Sequence, residues 1–127
     1  MSKKVLILEG NPDLLETYKE LLEADDWFVT AFSDLKNFQD FIKEKPKFNW
    51  VLIDCLDRNQ TIFATVKQVR ELSISENICV MSRYMDHELV GQARESGAQY
   101  FFVKPFDVLA LINDSPRVRS DSKSSKI

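Results

Sequence analysis

The stretch Trp50-Val51-Leu52-Ile53-Asp54 constrains the fold more than any other part of the chain. Apolar residues in an unbroken run, with aromatic and β-branched members, suit a strand covered on both faces. A carboxylate that closes such a strand stands where the sheet meets solvent. Val5-Leu6-Ile7-Leu8 is a run of the same kind, and it too ends in an acid, Glu9. Trp27 to Phe32, Asn77 to Ser82 and Tyr100 to Val103 complete the set of strand candidates.

The gaps between these runs read as amphipathic helices. Gly10-Asn11-Pro12 breaks the first strand. Asn11 is a natural N-cap and Pro12 a natural first helical residue, because the N–H that proline lacks has no intrahelical partner there. Leu14, Leu15, Tyr18, Leu21 and Leu22 then form one apolar stripe. The second helix carries Leu35, Phe38, Phe41 and Ile42 and stops at Lys45-Pro46. Ile62, Phe63, Val66, Val69 and Leu72 mark a third, after the polar loop Asp57-Arg58-Asn59-Gln60. A fourth runs from Asp86 to Ser96, with Gly97 suited to a left-handed C-cap. His87, the one histidine, reads as an exposed helix residue. Asp107 caps a short fifth helix through Val108, Leu109, Leu111 and Ile112, which Pro116 limits.

Strands beginning near 4, 27, 49, 77 and 99, each followed by a helix, predict a doubly wound five-stranded parallel sheet of the α/β class. The predicted domain spans residues 1–113. From 114 to 127 the chain is mostly Ser, Lys, Arg and Asp, and this polar tail is expected to be disordered.

A chain of 127 residues suits one domain with one sheet. A net charge of −3 gives no basic face for direct nucleic-acid binding. The apolar run after the basic start is too short for a signal-peptide core or a membrane span, so a cytoplasmic protein is expected. Cys55 and Cys79 have no metal-ligand spacing and fit a reducing compartment.

Open parallel sheets bind ligands at the carboxyl ends of their strands, where strand order reverses. The residues expected at those ends are Glu9, Asp54, Ser82 and Lys104. With the second strand at the sheet's edge, these four converge on one cleft. Their chemistry suits a phosphoryl group on Asp54: Lys104 and Ser82 contact its oxygens, and Glu9 helps to hold Mg²⁺.

This constellation resembles the receiver domain of two-component response regulators, over about residues 3 to 113. Leu8-Glu9-Gly10-Asn11-Pro12 looks like that family's acidic-pair segment. Asp54 matches the phosphoacceptor, Ser82 the switch hydroxyl, Phe101 the switch aromatic, and Lys104-Pro105 the lysine–proline pair, whose peptide bond is expected to be cis. The resemblance implies a flavodoxin-like receiver fold with strand order 2-1-3-4-5. It also implies a phosphodonor, either a histidine kinase or a phosphotransfer protein, and a downstream effector protein that reads the switched surface. A monomer or weak homodimer is expected, with no membrane attachment. Metal ligands carried over by position are Glu9, Asp54, the backbone carbonyl of Leu56 and, as a substitute, Asp57. The side chain of Leu56 matters less on this reading.

The sequence also departs from the family pattern. Gly10 stands where the second acid belongs. Arg58 replaces a common proline, and Arg83 follows the switch hydroxyl where a small residue is usual, so both are candidate modulators of the site. These departures support an alternative, a degenerate receiver that acts as a phosphorylation-independent interaction module. A flavodoxin-like cofactor binder fits poorly, because the first strand-to-helix turn has acids where a glycine-rich phosphate loop would lie.

Overall fold

A computed structural model describes residues 3–56, 61–104, 107–114 and 124–126. The strands are β1 (Lys4–Leu8), β2 (Phe28–Phe32), β3 (Trp50–Asp54), β4 (Ile78–Ser82), β5 (Tyr100–Val103) and β6 (Ser124–Lys126). The helices between and after them are α1 (Pro12–Ala24), α2 (Leu35–Ile42), α3 (Thr61–Glu71), α4 (His87–Ser96) and α5 (Val108–Asp114). The first five strands are parallel in the order β2-β1-β3-β4-β5, as the alternation of strands and helices and the family resemblance predict.

The sheet separates two apolar cores, and side-chain alternation assigns each strand residue to one of them. Leu6, Leu8, Val51 and Ile53 face Phe38 and Ile42 of α2, Val66 of α3 and Leu89 of α4. Val5, Ile7, Trp50 and Leu52 face Tyr18 and Leu22 of α1 and Leu111 of α5. Each fully buried Leu or Ile contributes about 1.5–3 kcal/mol relative to an exposed one, so these runs carry much of the stability.

The helix caps follow the sequence signals. Asn11 Oδ1 accepts from the N–H groups of Asp13 at 2.9 Å and Leu14 at 3.1 Å. Asp86 Oδ1 does the same for Glu88 and Leu89. Asp107 Oδ1 accepts from Ala110 N–H, and Gly97 closes α4 at φ 114°.

Some details differ from the sequence reading. Leu21 lies outside the buried stripe of α1 and is 45% exposed, because Tyr18 and Leu22 already fill the contact with the sheet. Strand β2 starts at Phe28, one residue later than expected. As an edge strand it is only half covered, with Phe28 itself exposed. The expectation of disorder throughout 114–127 also fails at Ser124–Lys126, which pairs antiparallel with Tyr100–Phe102. The free edge of β5 offers a row of unpaired backbone groups, and a polar segment can fill it through main-chain hydrogen bonds alone.

Candidate functional site

The order of strands reverses between β1 and β3, and the acids at the carboxyl ends of those two strands meet there. Glu9 is held by its N–H, which donates to Phe32 O of the edge strand at 3.0 Å. Its side chain turns inward and is fully buried. Lys104, just past β5, is fixed by its N–H to Ser82 O at 2.7 Å. Its Nζ lies 3.1 Å from both Glu9 oxygens and 3.0 Å from Asp54 Oδ1. The ammonium is thus shared between two carboxylates that are themselves almost out of water.

Backbone amides satisfy the remaining sides of these acids. Gly10 N–H donates to Asp54 Oδ2 at 3.0 Å, and Asn11 N–H to Glu9 Oε2 at 3.0 Å. Burial pushes the Glu9 carboxyl above the usual range; the Asn11 amide opposes that shift, the charge of Asp54 adds to it, and Lys104 opposes it. Among the described residues, two carboxylates share this one ammonium.

The four strand-end residues do converge. Glu9, Asp54, Ser82 and Lys104 all line one cleft of about 760 Å³. Ser82 is buried, and its Oγ accepts from Tyr84 N–H at 3.0 Å. Arg83 is exposed at the mouth of the cleft, with its guanidinium 5.7 Å from the Tyr84 ring centroid. Phe101 is fully buried in the core and does not line the cleft. Asp57, Arg58 and Pro105, with the Lys104–Pro105 peptide bond, lie outside the described residues.

Two contributors escaped the sequence reading. Gly10 lacks the second acid's side chain, yet its amide holds Asp54, and no residue-type signal announces a backbone donor. Leu56 was read for its carbonyl alone, yet its side chain also lines the cleft, beside Cys55.

Mg²⁺ is the cation that the resemblance to receiver domains implies. Among the described residues no group of three or more Asp, Glu, His or Cys side chains gathers to hold a metal. Mg²⁺ usually takes one or two carboxylates and keeps several waters, so Glu9 and Asp54 fit it in a reduced form.

This fold, with acids at the switch point and a lysine reaching them from the last parallel strand, defines the receiver class of α/β domain. The chain belongs to the response regulator receiver domain family, whose sequence profile matches residues 5–114. Its fold resembles that of a response regulator from Thermotoga maritima at 20% identity, covering 90% of this chain and 94% of that one, with a TM-score of 0.75. A chemotaxis protein of Vibrio cholerae is similar at 21% identity, with 90% and 96% covered and a TM-score of 0.75. A response regulator of Burkholderia pseudomallei, solved with a phosphorylated aspartic acid, calcium ion and citrate, matches at 19% identity. That pair covers 93% of this chain and 78% of the other, with a TM-score of 0.77. A direct sequence comparison with curated proteins finds no match. Among the described residues no helix is long and apolar enough to cross a membrane.

Proposed function

We propose that this receiver domain accepts a phosphoryl group on Asp54 and answers by changing a protein-interaction surface within a cytoplasmic phosphorelay. The observation that carries the reading is the Lys104 ammonium, 3.0 Å from Asp54 Oδ1 in a cleft that Ser82 also lines. An Asp54 oxygen forms the new P–O bond as the P–N bond of a donor phosphohistidine breaks, and the departing imidazole takes a proton. Lys104 sits where it can pair with the added phosphoryl oxygens, releasing part of its hold on Glu9. Ser82 Oγ, now an acceptor for Tyr84 N–H, can donate to the same group. That regrouping pulls on the β4–α4 connection and so reaches the exposed surface.

Glu9, Asp54 and the Leu56 carbonyl are the residues that would hold Mg²⁺. The ion would supply positive charge against the incoming phosphoryl oxygens. A histidine kinase or phosphotransfer protein is the donor class, and an effector protein is the reader. The Burkholderia pseudomallei relative carries a phosphorylated aspartic acid, which supports aspartyl phosphorylation as chemistry that this fold can host.

Beryllofluoride with Mg²⁺ tests the reading. It should shift amide resonances around Ser82 and Tyr84 in the parent chain and leave Asp54→Asn unchanged. Identical spectra for parent and Asp54→Asn would sink it. Gly10 favours a second reading, since it contributes no carboxylate: the domain then binds its partner without phosphorylation, and the partner's affinity is the same for Asp54→Asn as for the parent.

A further inference from the structure

Gly10 and Leu56 approach each other beside Asp54. A Cβ added at Gly10 would stand 2.7 Å from Leu56 Cδ2 and 3.4 Å from Asp54 Oδ2. The first distance is shorter than carbon atoms tolerate, so Leu56 already uses the room that any larger residue at position 10 needs. Leu56 is no loose surface group. It packs against the core that faces α2, α3 and α4. Its backbone also holds φ at 49°, a left-handed conformation that leucine seldom adopts.

We propose that the Leu56 side chain is an apolar stopper: it fills the place of a second acid at position 10 and sets how tightly the cleft holds a hard divalent cation. The inference rests on the phosphoacceptor reading of the cleft and says which residue limits its cation. A methyl group has no lone pair, so in the place that a Gly10 side chain would take it offers a cation no ligand. Mg²⁺ demands near-octahedral oxygen ligation and gives up water reluctantly, so this loss falls directly on affinity. Positions 10 and 56 are therefore coupled, and an acid at 10 helps only when residue 56 is small.

The test is a Mg²⁺ titration of the full chain, followed by the amide shifts of Asn11 and Cys55, with no phosphodonor present. Leu56→Ala should tighten Mg²⁺ binding about tenfold, within the range seen when groups around a metal site are changed. Leu56→Met conserves bulk and should bind like the parent, which separates the stopper from a general packing role. Gly10→Asp should gain much less affinity alone than in the Leu56→Ala background. Unchanged affinity in Leu56→Ala, or an equal gain from Gly10→Asp in both backgrounds, overturns the proposal. Should Gly10→Asp fail to fold, the contrast between Leu56→Ala and Leu56→Met decides alone. A parent chain that answers beryllofluoride while Leu56→Ala leaves Mg²⁺ affinity unchanged overturns the stopper only. Tighter Mg²⁺ in Leu56→Ala with no acyl phosphate on any variant overturns the phosphoacceptor reading only.

Discussion

Lys104 reaches Glu9 across ninety-five positions of sequence and places one ammonium 3.1 Å from both carboxylate oxygens. With side-chain exposures of 6% and 0%, this pair has little water to fall back on. Removing one partner of a buried ion pair strands the other. Lys104→Met should therefore destabilise the domain by about 3–5 kcal/mol, because Glu9 and Asp54 then face each other uncompensated. Urea unfolding at neutral pH measures this. A loss below about 1 kcal/mol would mean that water reaches the acids freely.

Two glycines on either side of the end of α4 should respond oppositely to alanine. Gly97 holds φ 114°, and an added Cβ would press on Arg70, with Cβ, Cγ and Nε each at 3.2 Å. The Arg70 guanidinium also donates to Gly97 O, so the clash cannot be relieved without disturbing that bond. Gly97→Ala should cost about 1–3 kcal/mol. Gly91, within the helix, has nothing within 4 Å of its added Cβ, and Gly91→Ala should stabilise by about 0.5–1 kcal/mol. Thermal unfolding of both variants settles the signs.

Asp25, the C-cap of α1, ties that helix to α5. Its carboxylate accepts from Asn113 Nδ2 at 2.9 Å, with Lys3 Nζ 3.5 Å away. The Asn113 hydrogen bond first, and the Lys3 ammonium next, hold its pKa below the ordinary carboxylate value. A depressed folded-state pKa means that the unfolded chain binds the proton first. The contribution is present above the unfolded pKa and fades as pH falls through the folded one. Asn113→Ala should move the Asp25 titration, followed by carboxyl NMR, upward toward that of a free aspartate. An unmoved titration would assign the shift elsewhere.

Phe101 and Phe28 separate burial from residue type. Phe101 is fully buried and Phe28 is 64% exposed. Phe101→Ala should cost about 3–5 kcal/mol through the cavity it leaves, whereas Phe28→Ala should stay within about 0.5 kcal/mol of the parent. Denaturant midpoints compare the two directly.

The parallel strands were legible because burial on both faces leaves an unbroken apolar run, as in Val5–Leu8 and Val51–Ile53. The edge strand was harder, since half of β2 faces water and its apolar residues carry less information. Leu21 shows the limit of a stripe: the sequence counts apolar positions, but the width of the sheet decides how many are covered. Within the site, Glu9, Asp54, Ser82 and Lys104 could be placed because each is a polar residue closing a strand. The Gly10 amide and the Leu56 side chain could not. Their roles depend on the direction of a backbone group and on a positive φ, neither of which residue identity discloses. Strand β6 was hidden for a related reason, because its pairing is made by main-chain atoms.

That last strand changes what the far side of the sheet offers to other molecules. Tyr100–Phe102 is paired on one flank with β4 and on the other with Ser124–Lys126. A partner that docks by adding its own strand to β5 therefore meets an occupied berth. Its rival belongs to the same chain, so the partner competes with an intramolecular pairing. A weak visitor is turned away, and only one that binds more tightly than this pairing displaces the tail.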